Sequence, residues 1–217
     1  MAQRLRTVDW RHDEIVIIDQ AALPDATRTM HLRTVDDLVD AIKRLAVRGA
    51  MALGAAGALG VALAAQRAEA SGDDVRLAAE AAGRQLKSAR PTAANLAWGV
   101  ERALAAAAGG AGAVLEVALL VLEEDVISNR RIGERGADLL IGRRRLLTHC
   151  NAGALAAVEW GSALAIVRVL HERGGVDEVF VSETRPLLQG ARLTTWELRN
   201  WSIPHRLIVD GGARASS

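Results

Sequence analysis

The sequence predicts an α/β protein with a small, mostly helical N-terminal α+β domain at residues 1–142 and an incomplete Rossmann-like parallel sheet at residues 143–217. Apolar residues recur at helical spacing through most of residues 34–140. From about residue 143, short apolar runs alternate with helical segments in the order β-α-β-α-β, which is typical of a parallel sheet. The residues are 50% hydrophobic and 24% charged, so the chain can bury a sizeable core.

Two β-rich runs come first along the chain. Residues 14–18, EIVII, form the clearer strand, and residues 27–34 form a second. A helix is predicted over residues 34–50, because Thr34 is a good N-cap and apolar residues follow it at helical spacing. Gly49 is expected to end this helix.

The segment that follows, residues 50–71, is dominated by Ala and Gly. Its apolar part approaches the length of a membrane span, but small side chains favour a buried helix that packs closely on its neighbours. We expect Ser71 or Asp73 to cap the next helix and Pro91 to occupy the first turn of the one after it. The remaining helices of the first domain are predicted at residues 71–89, 90–108 and 113–140.

The second part of the chain is predicted to contain three strands joined by two helices. The strands are expected at residues 144–150, 177–183 and 205–210, and the helices at residues 151–174 and 190–202. Each helix is long enough to cross over between parallel strands, which predicts a doubly wound sheet. A sheet of three strands is thin, so its faces and edges need to be covered.

Charge and cysteine content argue against several classes of protein. Lys and Arg number 27 and Asp and Glu 26, a net charge of +1 that gives no electrostatic case for a nucleic-acid partner. The single cysteine excludes an intrachain disulfide and a multi-cysteine zinc site, and it fits a reducing cytosol. Residues 1–14 are polar and lack the apolar core of a signal sequence. We therefore expect a cytoplasmic protein with no metal and no membrane partner.

Cys150, in the stretch THCNAG, lies where a predicted strand ends and a predicted helix begins. Functional groups collect at the carboxyl ends of parallel strands, and a helix N-terminus lowers the pKa of a thiol. The alternative interpretation is a small buried residue at a tight turn. His149 is adjacent, but neighbours along a strand point to opposite faces, so a Cys/His dyad does not follow.

Two further stretches suggest an anion site. Arg48 precedes Gly49 and Ala50 at a helix boundary, where backbone N–H groups and a guanidinium can hold a phosphate. Arg90 is expected at another helix start. The alternative for both is an ordinary helix boundary with a solvated arginine.

The segment after the second strand of the predicted parallel sheet is rich in polar residues. Glu183, Thr184, Arg185 and Gln189 follow that strand, on the same side of the sheet as Cys150. Polar groups that converge above a parallel sheet suggest a small polar ligand. Loop polarity and capping of the next helix form the alternative.

These segments together resemble methylthioribose-1-phosphate isomerase, within a superfamily that includes ribose-1,5-bisphosphate isomerases and regulatory subunits of the translation-initiation exchange factor. The resemblance covers nearly the whole chain, and THCNAG and ETRPxxQGARLTxWEL are its specific motifs. The matching segments are VDW (8–10), RTVDDLVDAIKRLAVRGAMALG (33–54), RPTAANLAWGVER (90–102), LLTHCNAGALA (146–156) and SETRPLLQGARLTTWEL (182–198).

The resemblance implies an aldose–ketose isomerase of methionine salvage that converts 5-methylthioribose 1-phosphate to 5-methylthioribulose 1-phosphate without a cofactor. It implies that Cys150 is catalytic and that the sugar phosphate is bound by Arg48, Gly49, Ala50, Arg90 and Gln189. It also implies a homodimer. The alternatives are an isomerase of ribose 1,5-bisphosphate or 5-deoxyribose 1-phosphate, a non-catalytic regulatory member, or a fragment that folds poorly.

The sequence also departs from the family pattern. The resemblance implies a GADR segment with a second catalytic aspartate and a GDxxNKxGT segment, and neither is found, so we expect a C-terminally truncated member. Asp210 lies at the end of the last predicted strand and is the candidate to replace the missing acid. Met51 and Ser182 occupy positions where the family usually has proline and aspartate.

Overall fold

The computed structural model describes residues 6–215, which begin with a small antiparallel sheet. Its strands β1 (Val8–Arg11), β2 (Glu14–Ile18) and β3 (Thr29–Leu32) are paired in that order. The predicted strand EIVII is confirmed, and the second predicted strand is shorter than expected. β1 was not predicted as a strand. It pairs along its whole length with β2, with Val8 opposite Ile17, and this pairing buries the Val8 side chain.

Five helices follow and form most of the protein core: α1 (Val35–Lys43), α2 (Ala50–Ser71), α3 (Val75–Ala89), α4 (Ala94–Leu104) and α5 (Gly110–Leu139). Thr34 caps α1 as predicted, since its hydroxyl accepts from the Asp37 N–H and the Asp37 carboxylate accepts from the Thr34 N–H. α3 is capped by Asp74 and by neither of the predicted caps, Ser71 and Asp73. α4 begins at Ala94, so Pro91 lies in the preceding turn and not in the helix.

α2 is the central helix of this core, as its small residues predict. The most apolar 18-residue part of Ala50–Ser71 is 72% buried, which fits a core helix. A second stretch, Ala94–Leu139, is also long and apolar enough to cross a membrane, and its most apolar 18-residue part is 28% buried. Length and composition alone are weak evidence for a membrane span. Gly99 allows α4 to contact α2, because a Cβ there would lie 1.9 Å from the Gly54 carbonyl oxygen.

The C-terminal sheet consists of the parallel strands β4 (Arg145–Thr148), β5 (Glu178–Ser182) and β6 (His205–Ile208), in that order. Its crossovers are α6 (Ala163–Glu172) and a π-helical turn (Gly190–Thr194) that continues into α7 (Thr195–Asn200). The predicted parallel sheet is confirmed.

Both crossover connections pack on the same face of this sheet, so the predicted doubly wound arrangement is wrong. Residues of α6 and α7 share one apolar cluster with Val179 and Val181, which point to the same face of β5. On the opposite face, the guanidinium groups of Arg145 and Arg206 lie 5.0 and 6.0 Å from the centre of the Phe180 ring. Consecutive strands in the order β4-β5-β6 with right-handed crossovers put both connections on one face.

The largest difference from the predicted elements follows β4. A helix was expected from residue 151, but α6 begins at Ala163, and the intervening segment holds only a 3₁₀ turn, Ala154–Ala156. The segment is nevertheless well packed, since Leu155 and Val158 are buried. The Ala154 and Leu155 N–H groups donate to the Glu197 carboxylate, and the Val158 N–H donates to the Asp125 carboxylate.

Candidate functional site

The predicted site residues lie where the carboxyl ends of β4 and β5 approach the N-terminus of α2. Arg48 and Gln189 are in direct contact there. With its amide oriented to satisfy both neighbours, Gln189 accepts a hydrogen bond from Arg48 Nη2 at 2.9 Å and donates to the Thr184 carbonyl at 3.1 Å. Residues from two distant parts of the sequence therefore share one site.

The site is rich in positive charge. Burial lowers the pKa of the half-buried Arg48 guanidinium, and repulsion from Arg192 and Arg90 lowers it further. Attraction to the Cys150 sulfur acts in the opposite direction. Arg90, Arg192 and Cys150 therefore lie close enough to Arg48 to interact with it electrostatically, and such a concentration of guanidinium groups suits an anion.

Arg90 has an unmet hydrogen-bonding capacity. Its Nη1 is buried and has no partner among the described residues. Buried donors are normally satisfied, so this atom is available to a ligand oxygen. The residue lies at the C-cap of α3 and not at the start of a helix, which corrects the predicted position.

Gly49 is the N-cap of α2 and does not end α1, as had been expected. Its φ of +95° suits glycine, and a Cβ there would lie 2.4 Å from the Ala156 Cα. Ala50, which is exposed, is the first residue of α2, and no side chain caps this 22-residue helix. The N–H groups of its first turn therefore add a partial positive charge beside Arg48.

Cys150 follows β4 with a φ of +62°, in the left-handed region that side-chain-bearing residues seldom adopt. Its N–H donates to Thr184 Oγ1 at 2.8 Å, and its carbonyl accepts from Thr194 Oγ1 at 2.7 Å. The predicted helix N-terminus at Cys150 is wrong, because α6 begins only at Ala163. Positive charge near the thiol is supplied by Arg48 and not by a helix dipole.

Asp210 does not fit the role of a replacement acid. Its carboxylate accepts hydrogen bonds from the Ser182 hydroxyl, the Thr184 N–H at 2.8 Å and the Arg185 N–H at 2.9 Å. These contacts, with a smaller contribution from His149, lower its pKa to about 2. A carboxylate held in this way fixes the loop after β5 and is poorly suited to proton transfer near neutral pH.

Sequence reasoning missed Glu197, a buried carboxylate at the site. Its side chain is 1% exposed and accepts from Asn151 Nδ2 at 2.7 Å, the Ala154 N–H at 2.7 Å and the Leu155 N–H at 3.4 Å. Burial raises its pKa to about 7. A charged residue between Trp196 and Leu198 on a short helix was the signal that could have revealed it.

Arg192 was also missed, although it belongs to the QGARL motif. Its Nη2 lies 3.3 Å from the carbonyls of Gln20 and Ala21 and donates at 2.9 Å to that of Leu23. It therefore ties the π-helical turn to the loop between β2 and β3 and also adds charge beside Arg48.

The helices, the parallel sheet and the cysteine beside arginines at the sheet's carboxyl edge define an α/β protein with a candidate site at that edge. Residues 46–216 match the Initiation factor 2 subunit family, and the chain belongs to that family.

Relatives with assigned names are similar over nearly the whole chain. A probable bifunctional methylthioribose-1-phosphate isomerase/methylthioribulose-1-phosphate dehydratase of Nocardia farcinica is 49% identical over 95% of this chain and 38% of its own length. A 5-deoxyribose 1-phosphate isomerase of Moorella thermoacetica is 46% identical over 98% of this chain and 63% of its own length.

Solved structures share the fold. The 5-methylthioribose 1-phosphate isomerase of Pyrococcus horikoshii OT3 superposes with a TM-score of 0.88 at 35% identity, over 96% of this chain and 61% of that one. A protein described as the translation initiation factor eIF-2B, subunit delta, from Archaeoglobus fulgidus gives 0.85 at 45% identity, over 95% and 63%. The chain thus spans less than two thirds of the length of these relatives.

Proposed function

We propose that the chain carries the sugar-phosphate site of an aldose–ketose isomerase that converts 5-methylthioribose 1-phosphate to 5-methylthioribulose 1-phosphate. The main support is the meeting of Arg48, Gln189 and Cys150, which come from three separate segments. The names of similar proteins support the same reaction class.

The proposed roles follow from the chemistry of the reaction. The anomeric carbon carries the phosphate, so the sugar ring opens by protonation of its ring oxygen before hydrogen moves between C2 and C1. Arg48 and Arg90 hold the phosphate, together with the N–H groups at Gly49 and Ala50. Gln189 binds a sugar hydroxyl, and Cys150 is one acid/base group.

The reaction needs a second acid/base group, and Asp210 does not supply it. Its three hydrogen bonds hold it as a carboxylate. We therefore expect the described residues to bind the sugar phosphate more readily than they turn it over. Loss of one member of an acid/base pair costs about 10²- to 10⁴-fold in rate.

The test is turnover and binding of 5-methylthioribose 1-phosphate by the purified chain beside Cys150→Ala and Arg48→Ala. We expect Arg48→Ala to weaken binding at least tenfold and Cys150→Ala to bind normally but to lose any turnover. Turnover that persists in Cys150→Ala contradicts the catalytic role, and unchanged binding by Arg48→Ala contradicts the phosphate role.

Two alternatives are separated by the same assay with other ligands. The Moorella thermoacetica relative is named for 5-deoxyribose 1-phosphate, which lacks the methylthio group, whereas ribose 1,5-bisphosphate carries a second anion. Preference for either would reassign the substrate. A non-catalytic regulator, in line with the description of the Archaeoglobus fulgidus structure, would bind a phosphate ligand without turnover in any variant.

We further propose a cytoplasmic homodimer with a domain boundary at residue 142, between residues 1–142 and 143–217. Two apolar clusters support the division: every buried member of the first except Val158 precedes residue 142, and every buried member of the second except Ala137 follows it. Light scattering of the purified chain tests the dimer, and limited proteolysis tests the boundary.

A further inference from the structure

The segment after Cys150 lacks a helix although its composition favours one. Glu197 explains this, because its carboxylate accepts from the Ala154 and Leu155 N–H groups, which a helix would have used internally. Gly153 lets the carboxylate come close, since a Cβ at that position would lie 2.4 Å from Glu197 Oε2. The carboxylate thus acts as the acceptor around which the segment folds.

A short chain of hydrogen bonds leads from this carboxylate to the backbone of Cys150. Asn151 Nδ2 donates to Glu197 Oε1 at 2.7 Å and lies 3.2 Å from Thr194 Oγ1. Thr194 Oγ1 in turn donates to the Cys150 carbonyl at 2.7 Å. All of these groups are buried or half-buried.

The backbone at Cys150 needs such support. A residue with a side chain at a φ of +62° lies in an unfavourable conformation, which persists only where its surroundings fix it. The Thr184 hydroxyl holds the N–H side of the residue, and Thr194 holds the carbonyl side. Only the second contact connects to Glu197.

We propose that Glu197 is a positioning residue that holds the Cys150 thiol beside Arg48, acting through Asn151 and Thr194. This inference deepens the proposed function and gives Glu197 no contact with the substrate. It predicts that the reactivity of Cys150 depends on groups that never touch the thiol.

The test uses the fact that Cys150 is the single cysteine of the chain, so alkylation by iodoacetamide reports on it alone. The matched variants are Thr194→Val and Thr195→Val. Both threonines are buried, but the Thr195 hydroxyl donates to the Ala191 carbonyl of its own helical segment. Valine keeps the shape of either side chain and removes only the hydroxyl.

We expect alkylation at pH 7 to be at least fivefold slower in Thr194→Val and within twofold of the unmodified chain in Thr195→Val. The physical reason is that loss of the Thr194 hydroxyl releases the Cys150 carbonyl, so the thiol is no longer held beside the Arg48 guanidinium. Equal rates in the two valine variants overturn the proposal. If Thr194→Val does not fold, as judged by circular dichroism, Asn151→Ala breaks the same chain of hydrogen bonds and replaces it.

Glu197→Gln and Glu197→Asp complete the test. Glutamine presents an NH₂ group to the Asn151, Ala154 and Leu155 donors, whereas aspartate keeps the charge. We therefore expect alkylation of Cys150 to be slow in Glu197→Gln and partly recovered in Glu197→Asp. Where the chain turns over the sugar phosphate, kcat is expected to fall more than KM rises. Because alkylation needs no substrate, slowed alkylation in a chain that does not bind the sugar phosphate supports the positioning role while contradicting the proposed function. Unchanged alkylation in a chain that binds the sugar phosphate does the reverse.

Discussion

The loops that follow β4 and β5 are held in the same way but respond oppositely to pH. Each loop is irregular, and in each loop backbone N–H groups donate hydrogen bonds to a distant carboxylate. That carboxylate belongs to Glu197 in the first loop and to Asp210 in the second. The pKa of Glu197 is raised to about 7, whereas that of Asp210 is lowered to about 2. The same anchoring contact therefore gives a carboxylate that titrates near neutral pH in one loop and one that stays ionised in the other.

The difference is one of burial. For Glu197, the loss of hydration outweighs three hydrogen bonds, because the side chain is almost fully enclosed. Asp210 is only half-buried, so its hydrogen bonds from Ser182 and the loop backbone dominate. The loop that carries Cys150 is the one whose anchor can lose its charge.

The largest expected effect comes from removing the buried anchor. Glu197→Ala leaves the Asn151 amide and two backbone N–H groups without an acceptor, which we expect to lower the free energy of unfolding by about 3 kcal/mol or more. Asp210→Ala is expected to cost less, because the Arg185 N–H that it releases is exposed to water. Urea denaturation of both variants at pH 6 checks this order, and an equal or larger loss in Asp210→Ala contradicts it.

The two anchors also predict stability changes in separate pH windows. Folding raises the pKa of Glu197 from 4.5 to about 7, so the folded state binds its proton more tightly than the unfolded state. Its contribution is complete below pH 4.5 and is lost as pH rises through about 7, by on the order of 2–3 kcal/mol. The free energy of unfolding measured at half-unit steps from pH 4.5 to 7.5 should fall, and Glu197→Gln should flatten that fall.

The contribution of Asp210 to stability changes with pH in the opposite direction to that of Glu197. Its pKa in the folded state is depressed from 3.8 to about 2, so its contribution is present above pH 3.8 and is lost as pH falls towards 2. Asp210→Asn should leave the slope between pH 4.5 and 7.5 unchanged. A flattening of that slope by Asp210→Asn, and not by Glu197→Gln, would reverse the assignment of the two carboxylates.

The elements that could be predicted from the sequence are those whose backbone hydrogen bonds are satisfied locally. α2 was predicted close to its observed bounds, because a run of small apolar residues follows Gly49; the helix stops at Gly72, and both glycines have positive φ. Thr34 was identified as a cap, since the capping box is a local pattern. In both cases the groups that satisfy the backbone lie within a few residues.

The segment after β4 was not predictable, because its hydrogen-bond acceptor is remote. Residues 151–162 have a composition typical of a helix, yet the carboxylate that captures their N–H groups is 46 residues from Asn151. Tertiary contacts of this kind override local propensity. Arg48, Arg90, Cys150 and Gln189 were predicted as site residues from motifs, whereas the contacts of Glu197 and Thr194 with the loop after β4 are long-range and could not be predicted from the sequence.

A smaller effect is expected from Asp210 on ligand binding. Asp210→Asn places an NH₂ group against the N–H donors of Thr184 and Arg185, which disturbs the loop that leads to Gln189. We expect binding of 5-methylthioribose 1-phosphate to weaken by roughly tenfold, equally at pH 6 and pH 8. Isothermal titration at both values checks this, and a loss confined to one pH would show that Asp210 titrates in this range.

The smallest effect concerns backbone strain, which both loops contain. Cys150 in the first loop and Leu188 in the second have φ values of +62° and +57°. Glycine adopts such angles without the clash of a Cβ, so Cys150→Gly should be about 1 kcal/mol more stable than Cys150→Ala. The same order is expected for Leu188→Gly over Leu188→Ala. Thermal unfolding of the four variants decides the matter: an alanine variant that is more stable than its glycine partner would show that the loop relaxes and that its carboxylate anchor does not hold the strained backbone.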